Sequence, residues 1–74
     1  MIDLRAIRLA AGLSQAILAE RMGMSSNGQR SVSQMEGRTD WLLSRVAAYI
    51  RAAGGTAELV VNVNGQELRF TIGY

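Results

Sequence analysis

The apolar residues of this 74-residue chain change their spacing once, at Gly54-Gly55. Before that pair they recur every three or four residues, as in an amphipathic helix, and after it they alternate, as in a half-buried strand. We interpret the glycine pair as a helix stop followed by a short hinge. The sequence therefore predicts a mainly α fold with a C-terminal β-hairpin, with a helical region over residues 1–53 and a hairpin over residues 54–74 of a single domain.

The residue inventory restricts the chemistry that such a domain can perform. The sequence contains no Cys and no His, which removes disulfides, Cys/His metal sites and the commonest general base. We therefore expect neither an enzyme nor a bound metal or other cofactor. No apolar stretch approaches the about 20 residues of a membrane span, and no signal-peptide pattern is present, so we expect a cytoplasmic protein without a membrane partner.

The charges are distributed unevenly along the chain. All eight basic residues are arginine and the net charge is +2. Residues 1–53 contain seven Arg and four acidic residues, whereas residues 54–74 contain one Arg and two acidic residues. A surface for a polyanion is therefore expected in the helical region.

Glycines and capping side chains divide the helical region into four helices. The first is predicted over residues 3–11, and the second begins at a Ser14 cap and ends at Gly23. The third is predicted to begin at a cap formed by Ser26 or Asn27 and to end at Glu36. The fourth is predicted to begin at a cap formed by Thr39 or Asp40 and to end near Ala53. Its predicted inner stripe consists of Leu42, Val46, Tyr49, Ile50 and Ala53.

The C-terminal segment has the pattern of a β-hairpin. Two alternating runs, residues 56–63 and 66–73, are joined by Asn64-Gly65, a pair typical of a type I′ turn. This turn places Val61 opposite Leu68, Leu59 opposite Phe70 and Ala57 opposite Ile72. The resulting apolar face predicts either a cover for the chain's own helices or a dimer interface. The predicted interface residues are Leu59, Val61, Leu68, Phe70, Ile72 and, in the first turn of the predicted fourth helix, Trp41.

The second and third helices have the features that a helix-turn-helix motif requires. A Gly-containing turn joins them, and the outward face of the third helix is polar and contains no acidic residue. In this motif the third helix lies in the major groove of DNA, where amide and guanidinium groups read base edges. The predicted base contacts are Gln29, Arg30, Ser31, Ser33 and Gln34.

Four motifs carry a resemblance to a known family. They are Leu4-Arg5-x-x-Arg8, Gly12-Leu13-Ser14-Gln15, Leu18-Ala19-Glu20-Arg21-Met22-Gly23-Met24-Ser25 and Val32-Ser33-Gln34-Met35-Glu36-Gly37. Residues 2 to about 53 thus resemble the lambda-repressor-like, Cro-type (XRE) helix-turn-helix family. The chain departs from the family pattern by about three extra residues between Ser25 and Val32 and by Gly37 directly after Glu36. The hairpin resembles the strand element that builds the dimer in short members from phages, mobile elements and toxin–antitoxin operons.

The resemblance implies roles for individual residues. Gln15, Asn27 and Arg38 would contact DNA phosphates, and Arg8 and Glu36 would form an internal ion pair. The remaining arginines of the first and fourth helices, Arg5, Arg45 and Arg51, could steer DNA, but a solvated helix face is the simpler interpretation.

These expectations combine into a homodimeric, sequence-specific DNA-binding regulator. We expect it to occupy a pseudo-palindromic operator and to repress a short operon, such as a phage or anti-CRISPR-associated operon, in the nucleoid. The alternative is an antitoxin that neutralises a toxin protein and regulates its own operon.

Overall fold

The computed structural model describes residues 2–24 and 28–72. Within these residues the chain forms four helices followed by a two-stranded antiparallel sheet. The elements are α1 Leu4–Ala10, α2 Gln15–Arg21, α3 Gly28–Glu36, α4 Leu43–Ala52, β1 Ala57–Val63 and β2 Gln66–Ile72. The prediction of a mainly α fold with a C-terminal hairpin is confirmed. None of the helices in the described part of the chain has the length and apolar character of a membrane span.

Side-chain caps begin the first two helices. Asp3 Oδ1 accepts a hydrogen bond from the Ala6 N–H at 3.0 Å, and Ser14 Oγ accepts one from the Ile17 N–H at 3.1 Å. Such caps satisfy backbone donors that have no partner within the helix. The predicted cap at Ser14 is therefore confirmed, whereas the cap predicted for α3 at Ser26 or Asn27 lies outside the described residues.

The predicted start of the fourth helix is wrong. Neither Thr39 nor Asp40 caps it, because α4 begins at Leu43 and its N-cap position is Leu42, which makes no side-chain cap bond. Leu42 is 70% exposed, so its assignment to the inner stripe is also wrong. Because it precedes the helix in an extended conformation, helical spacing does not place it above Val46.

The physical reason for the late start is a tertiary contact of Trp41. Its indole Nε1–H donates a hydrogen bond to the Met35 carbonyl near the end of α3, at 2.9 Å. The half-buried ring packs against the helical core. This contact holds the connection after α3 in a non-helical path, so Trp41 lies before α4 and not within it.

The core lies between the four helices. Its buried hydrophobic residues are Leu4, Leu18, Ala19, Val32, Met35, Val46, Tyr49 and Ile50. All four helices contribute to this set, and the strands add only the partly buried Ala57 at its edge.

Gly28, the first residue of α3, allows α2 and α3 to approach closely. A Cβ atom on this residue would lie 2.5 Å from Met24 Cβ and 2.9 Å from Ala19 Cβ. Both distances are below the contact distance of carbon atoms, about 3.5 Å or more. The absence of a side chain at Gly28 is therefore a requirement of the packing.

The hairpin has the predicted register but leaves its apolar face uncovered. Val61 pairs with Leu68 and Leu59 with Phe70, and the turn residues Asn64 and Gly65 have the positive φ values of 49° and 77° that a type I′ turn needs. Leu59, Leu68 and Phe70 are 43–51% exposed. The alternative that the hairpin covers its own helices is therefore wrong.

Replacement of Gly28 by Ala tests the close packing of α2 and α3. Helix propensity alone would stabilise the variant by up to about 1 kcal/mol, but the clash should lower the free energy of unfolding by about 1–3 kcal/mol. Urea unfolding measures the difference. Gly37→Ala is the control, since its added Cβ would meet nothing closer than 3.7 Å. A Gly28→Ala variant as stable as the wild type would contradict the packing.

Candidate functional site

The carboxylate of Glu36, at the end of α3, connects all four helices. Its Oε2 accepts a hydrogen bond from Arg8 Nε of α1 at 2.7 Å, and its Oε1 accepts one from Gln15 Nε2 of α2 at 3.1 Å. The Tyr49 hydroxyl of α4 lies 2.6 Å from Oε2. We call Arg8, Gln15, Glu36 and Tyr49 the Glu36 network.

The other polar groups of the Glu36 network also have partners. Arg8 Nη1 donates to the Leu13 carbonyl at 3.0 Å, and the Tyr49 hydroxyl lies 2.8 Å from the Leu4 carbonyl. The hydroxyl has one proton for two acceptors, and the charged carboxylate is the stronger acceptor. Among the described residues no buried side-chain nitrogen or oxygen lacks a hydrogen-bond partner. A satisfied network of this kind favours one arrangement of the helices.

The Glu36 network determines the charges at its centre. Burial alone would raise the pKa of Glu36, but the hydrogen bonds from Arg8, Tyr49 and Gln15 lower it below its ordinary value. The hydrogen bond to Glu36 raises the pKa of Arg8, and burial raises that of Tyr49. At neutral pH the network therefore contains a carboxylate, a guanidinium and a neutral phenol.

The Glu36 network holds α3 so that its polar face points away from the core. Gly28, Val32 and Met35 form the buried side of this helix. At about 100° per residue, Arg30 lies opposite that side, Gln29 and Ser33 lie on one flank, and Ser31 and Gln34 lie on the other. All five predicted base-contact residues are exposed.

Two surface depressions border α3, one on each flank. The α1–α3 depression is lined by Arg5, Arg8, Ser14, Gln15, Gln29, Ser33, Glu36 and Gly37. The α3–α4 depression is lined by Ser31, Gln34, Met35, Arg38, Trp41, Leu42 and Arg45. A third depression, the α2–α4 groove, is lined by Arg21, Met22, Ser44, Ala47, Ala48, Arg51 and Ala52 and shares no residue with the other two.

The predicted phosphate contacts have different positions in the structure. Gln15 lies in the α1–α3 depression with one amide hydrogen engaged by Glu36, which leaves the second hydrogen for another acceptor. Arg38 is exposed in the α3–α4 depression. Asn27 lies outside the described residues.

The internal and interface residues can also be placed. The structure brings Arg8 and Glu36 together, as the resemblance implies, with side chains 9% and 5% exposed. The predicted interface residues of the hairpin share one exposed to half-buried face. Trp41 packs on the helical core of its own chain.

Sequence reasoning missed Tyr49 as a member of the Glu36 network. A signal was available, because a buried Tyr usually needs a hydrogen-bond partner for its hydroxyl, and Tyr49 stands in the predicted inner stripe of α4. It also favoured a solvated helix face over a role in DNA binding for Arg5 and Arg45, which the fold places beside α3. Their positions depend on helix packing, which no local pattern reports.

The described residues contain no group of three or more side chains suited to hold a metal ion. Comparisons with protein-family models, with curated proteins and with solved structures found no match for this chain.

Replacement of Glu36 by Gln tests the importance of the network. The change preserves the shape of the side chain but leaves Arg8 buried without its counter-charge, so the free energy of unfolding at pH 7 should fall by about 3–5 kcal/mol. The pKa of Glu36 is lowered in the folded state. Its contribution is therefore present above the unfolded-state pKa of about 4.3 and lost as the pH falls through the folded-state value. Wild type and variant should therefore converge in stability only when the pH falls below the lowered, folded-state pKa of Glu36.

Glu58→Gln is the matched control for this measurement. It removes a carboxylate from the exposed Arg69–Glu58 pair, whose atoms are 3.0 Å apart and whose side chains are 56% and 54% exposed. Exposed pairs contribute less than about 1 kcal/mol. Equal losses of stability in the two variants would contradict a central role for Glu36.

Proposed function

We propose that the protein is a homodimeric, sequence-specific DNA-binding regulator of the Cro helix-turn-helix type. In this proposal α2 and α3 form the helix-turn-helix and α3 enters the major groove. The observation that carries the proposal is the outward face of α3, which is polar, exposed and free of acidic residues over five positions.

The chemistry of that face suits base recognition. Arg30, at its centre, can donate two hydrogen bonds to a guanine, and Gln29 or Gln34 can pair with an adenine. Arg30 takes part in no ion pair among the described residues, so its guanidinium is available to an anionic or polar partner. The Glu36 network supports this use, since a rigid helix loses less conformational freedom when it binds.

The hairpin supports a dimer. Its second face carries Arg69, which bridges Glu58 at 3.0 Å and Glu67 at 3.1 Å, whereas its apolar face lacks a cover in the described residues. A two-stranded hairpin alone is marginally stable in water, and a second copy of the same face would bury it. The two copies would present their α3 helices about 34 Å apart, one turn of DNA, to a pseudo-palindromic site. A dimer bound at a promoter would exclude polymerase and repress transcription.

Two arginine variants test the reading surface. A binding site is first selected from a pool of random duplexes. On that site Arg30→Ala should lose about 1–3 kcal/mol and relax the base preference, whereas Arg38→Ala should weaken binding to all duplexes alike. Gel shifts measure both effects. The control is Arg51→Ala, the same loss of charge in the α2–α4 groove. Binding by Arg30→Ala as tight as that of the wild type would exclude α3 as the reading helix.

A pair of hairpin variants tests the dimer. Phe70→Glu places a charge on the apolar face and should shift the mass measured by light scattering from dimer towards monomer. Val60→Glu introduces the same charge on the opposite face, at the position whose register partner is Arg69, and should leave the dimer intact. An intact dimer in Phe70→Glu would reject this interface.

A further inference from the structure

We propose that Arg5 and Arg45 grip the DNA backbone on opposite sides of α3, each holding phosphates along one wall of the major groove. This inference rests on the proposed function and adds the partner groups that flank the reading helix.

The first part of the grip is the α1–α3 depression. Arg5 lies there beside Gln29 and Ser33, the two predicted base contacts on one flank of α3. Arg8 lines the same depression, but its charge is neutralised by Glu36 at 2.7 Å. Arg5 is exposed and has no carboxylate partner among the described residues. It is therefore the arginine of this depression that is available to an anion.

The second part of the grip is the α3–α4 depression on the other flank. Arg45 of α4 and Arg38 line it together with Ser31 and Gln34. Both arginines are exposed, and within residues 2–24 and 28–72 neither forms an ion pair. The depression thus contains two guanidinium groups, a hydroxyl and an amide, and its lining has no acidic side chain. These groups can bind a phosphate.

The dimensions of an α-helix and of the major groove explain why both depressions would lie against phosphates at the same time. An α-helix with its side chains is about 10–12 Å across, and the major groove of B-DNA is about 12 Å wide. A helix seated in the groove therefore brings the elements on its two flanks against the two rows of phosphates. Arg5 and Arg45 are the available cations that α1 and α4 contribute at these positions.

The α2–α4 groove provides an internal comparison. It carries two exposed arginines, Arg21 and Arg51, but shares no lining residue with either depression beside α3. A duplex seated on α3 would be bordered by Arg5 and Arg45 and not by these two. A comparison of variants at these four arginines therefore distinguishes local phosphate contacts from a general effect of net charge.

The salt dependence of DNA binding tests the grip without knowledge of the operator. Affinity for a mixed-sequence duplex is measured by fluorescence anisotropy over a range of salt concentrations. Each lost phosphate contact should reduce the slope of log affinity against log salt by about 0.9. Arg5→Gln and Arg45→Gln should each show this reduction per protomer, while the control variants Arg21→Gln and Arg51→Gln should retain the wild-type slope.

The possible outcomes separate the grip from the function on which it rests. Reduced slopes in Arg5→Gln and Arg45→Gln alone would support the grip. Equal reductions in all four variants would replace it with an effect of net charge, and a reduction in only one of the two would overturn a two-sided grip. An unchanged slope in both, with normal binding by the wild type, would overturn the grip and leave the proposed function standing. A wild type that binds no duplex would overturn both.

Discussion

The carboxylate of Glu36 is the interaction on which the arrangement of the helices depends. A chain of this length buries only about 60% of its extended surface, so its small core leaves the orientation of short helices weakly determined. A buried ion pair adds little net stability compared with apolar packing. It does, however, require that Arg8, Gln15 and Tyr49 reach one carboxylate together, and few arrangements of α1, α2 and α4 around α3 satisfy that requirement.

The helical part of the chain buries its apolar residues, whereas the hairpin leaves an apolar face exposed. The helical part has a core and a satisfied polar network, and it exposes a polar surface on α3. The hairpin has regular pairing but exposes Leu59, Leu68 and Phe70 on one face. In our proposal this difference reflects two functions, since the helices bind DNA and the hairpins join two DNA-binding protomers at a fixed distance. The arginines follow the same division, because Arg69 is paired within the hairpin whereas Arg30 is available on α3.

Features governed by local chemistry were predictable from the sequence. The Asn64-Gly65 turn set the hairpin register, and the hydroxyl of Ser14 marked the start of α2. The late start of α4 was not predictable, because it depends on a hydrogen bond from the Trp41 indole to the backbone of another helix. The same holds for Gly28, whose role appears only when α2 and α3 are packed together.

The candidate site also has some features that were predictable from the sequence and some that were not. The polar face of α3 follows from helical periodicity, and the Arg8–Glu36 pair was expected from the resemblance. The positions of Arg5 and Arg45 beside α3 were not predictable, since they arise from tertiary packing that neither periodicity nor a motif encodes.

Amide chemical-shift mapping by NMR tests the central claim most directly. The claim is that a rigid α3, held by the Glu36 network, is the surface that meets DNA. Titration of the labelled protein with duplex DNA should change the amide resonances of residues 29–34 and of Arg38 most strongly, and those of the α2–α4 groove least. Changes confined to that groove or to the hairpin, or no changes at all, would contradict the claim.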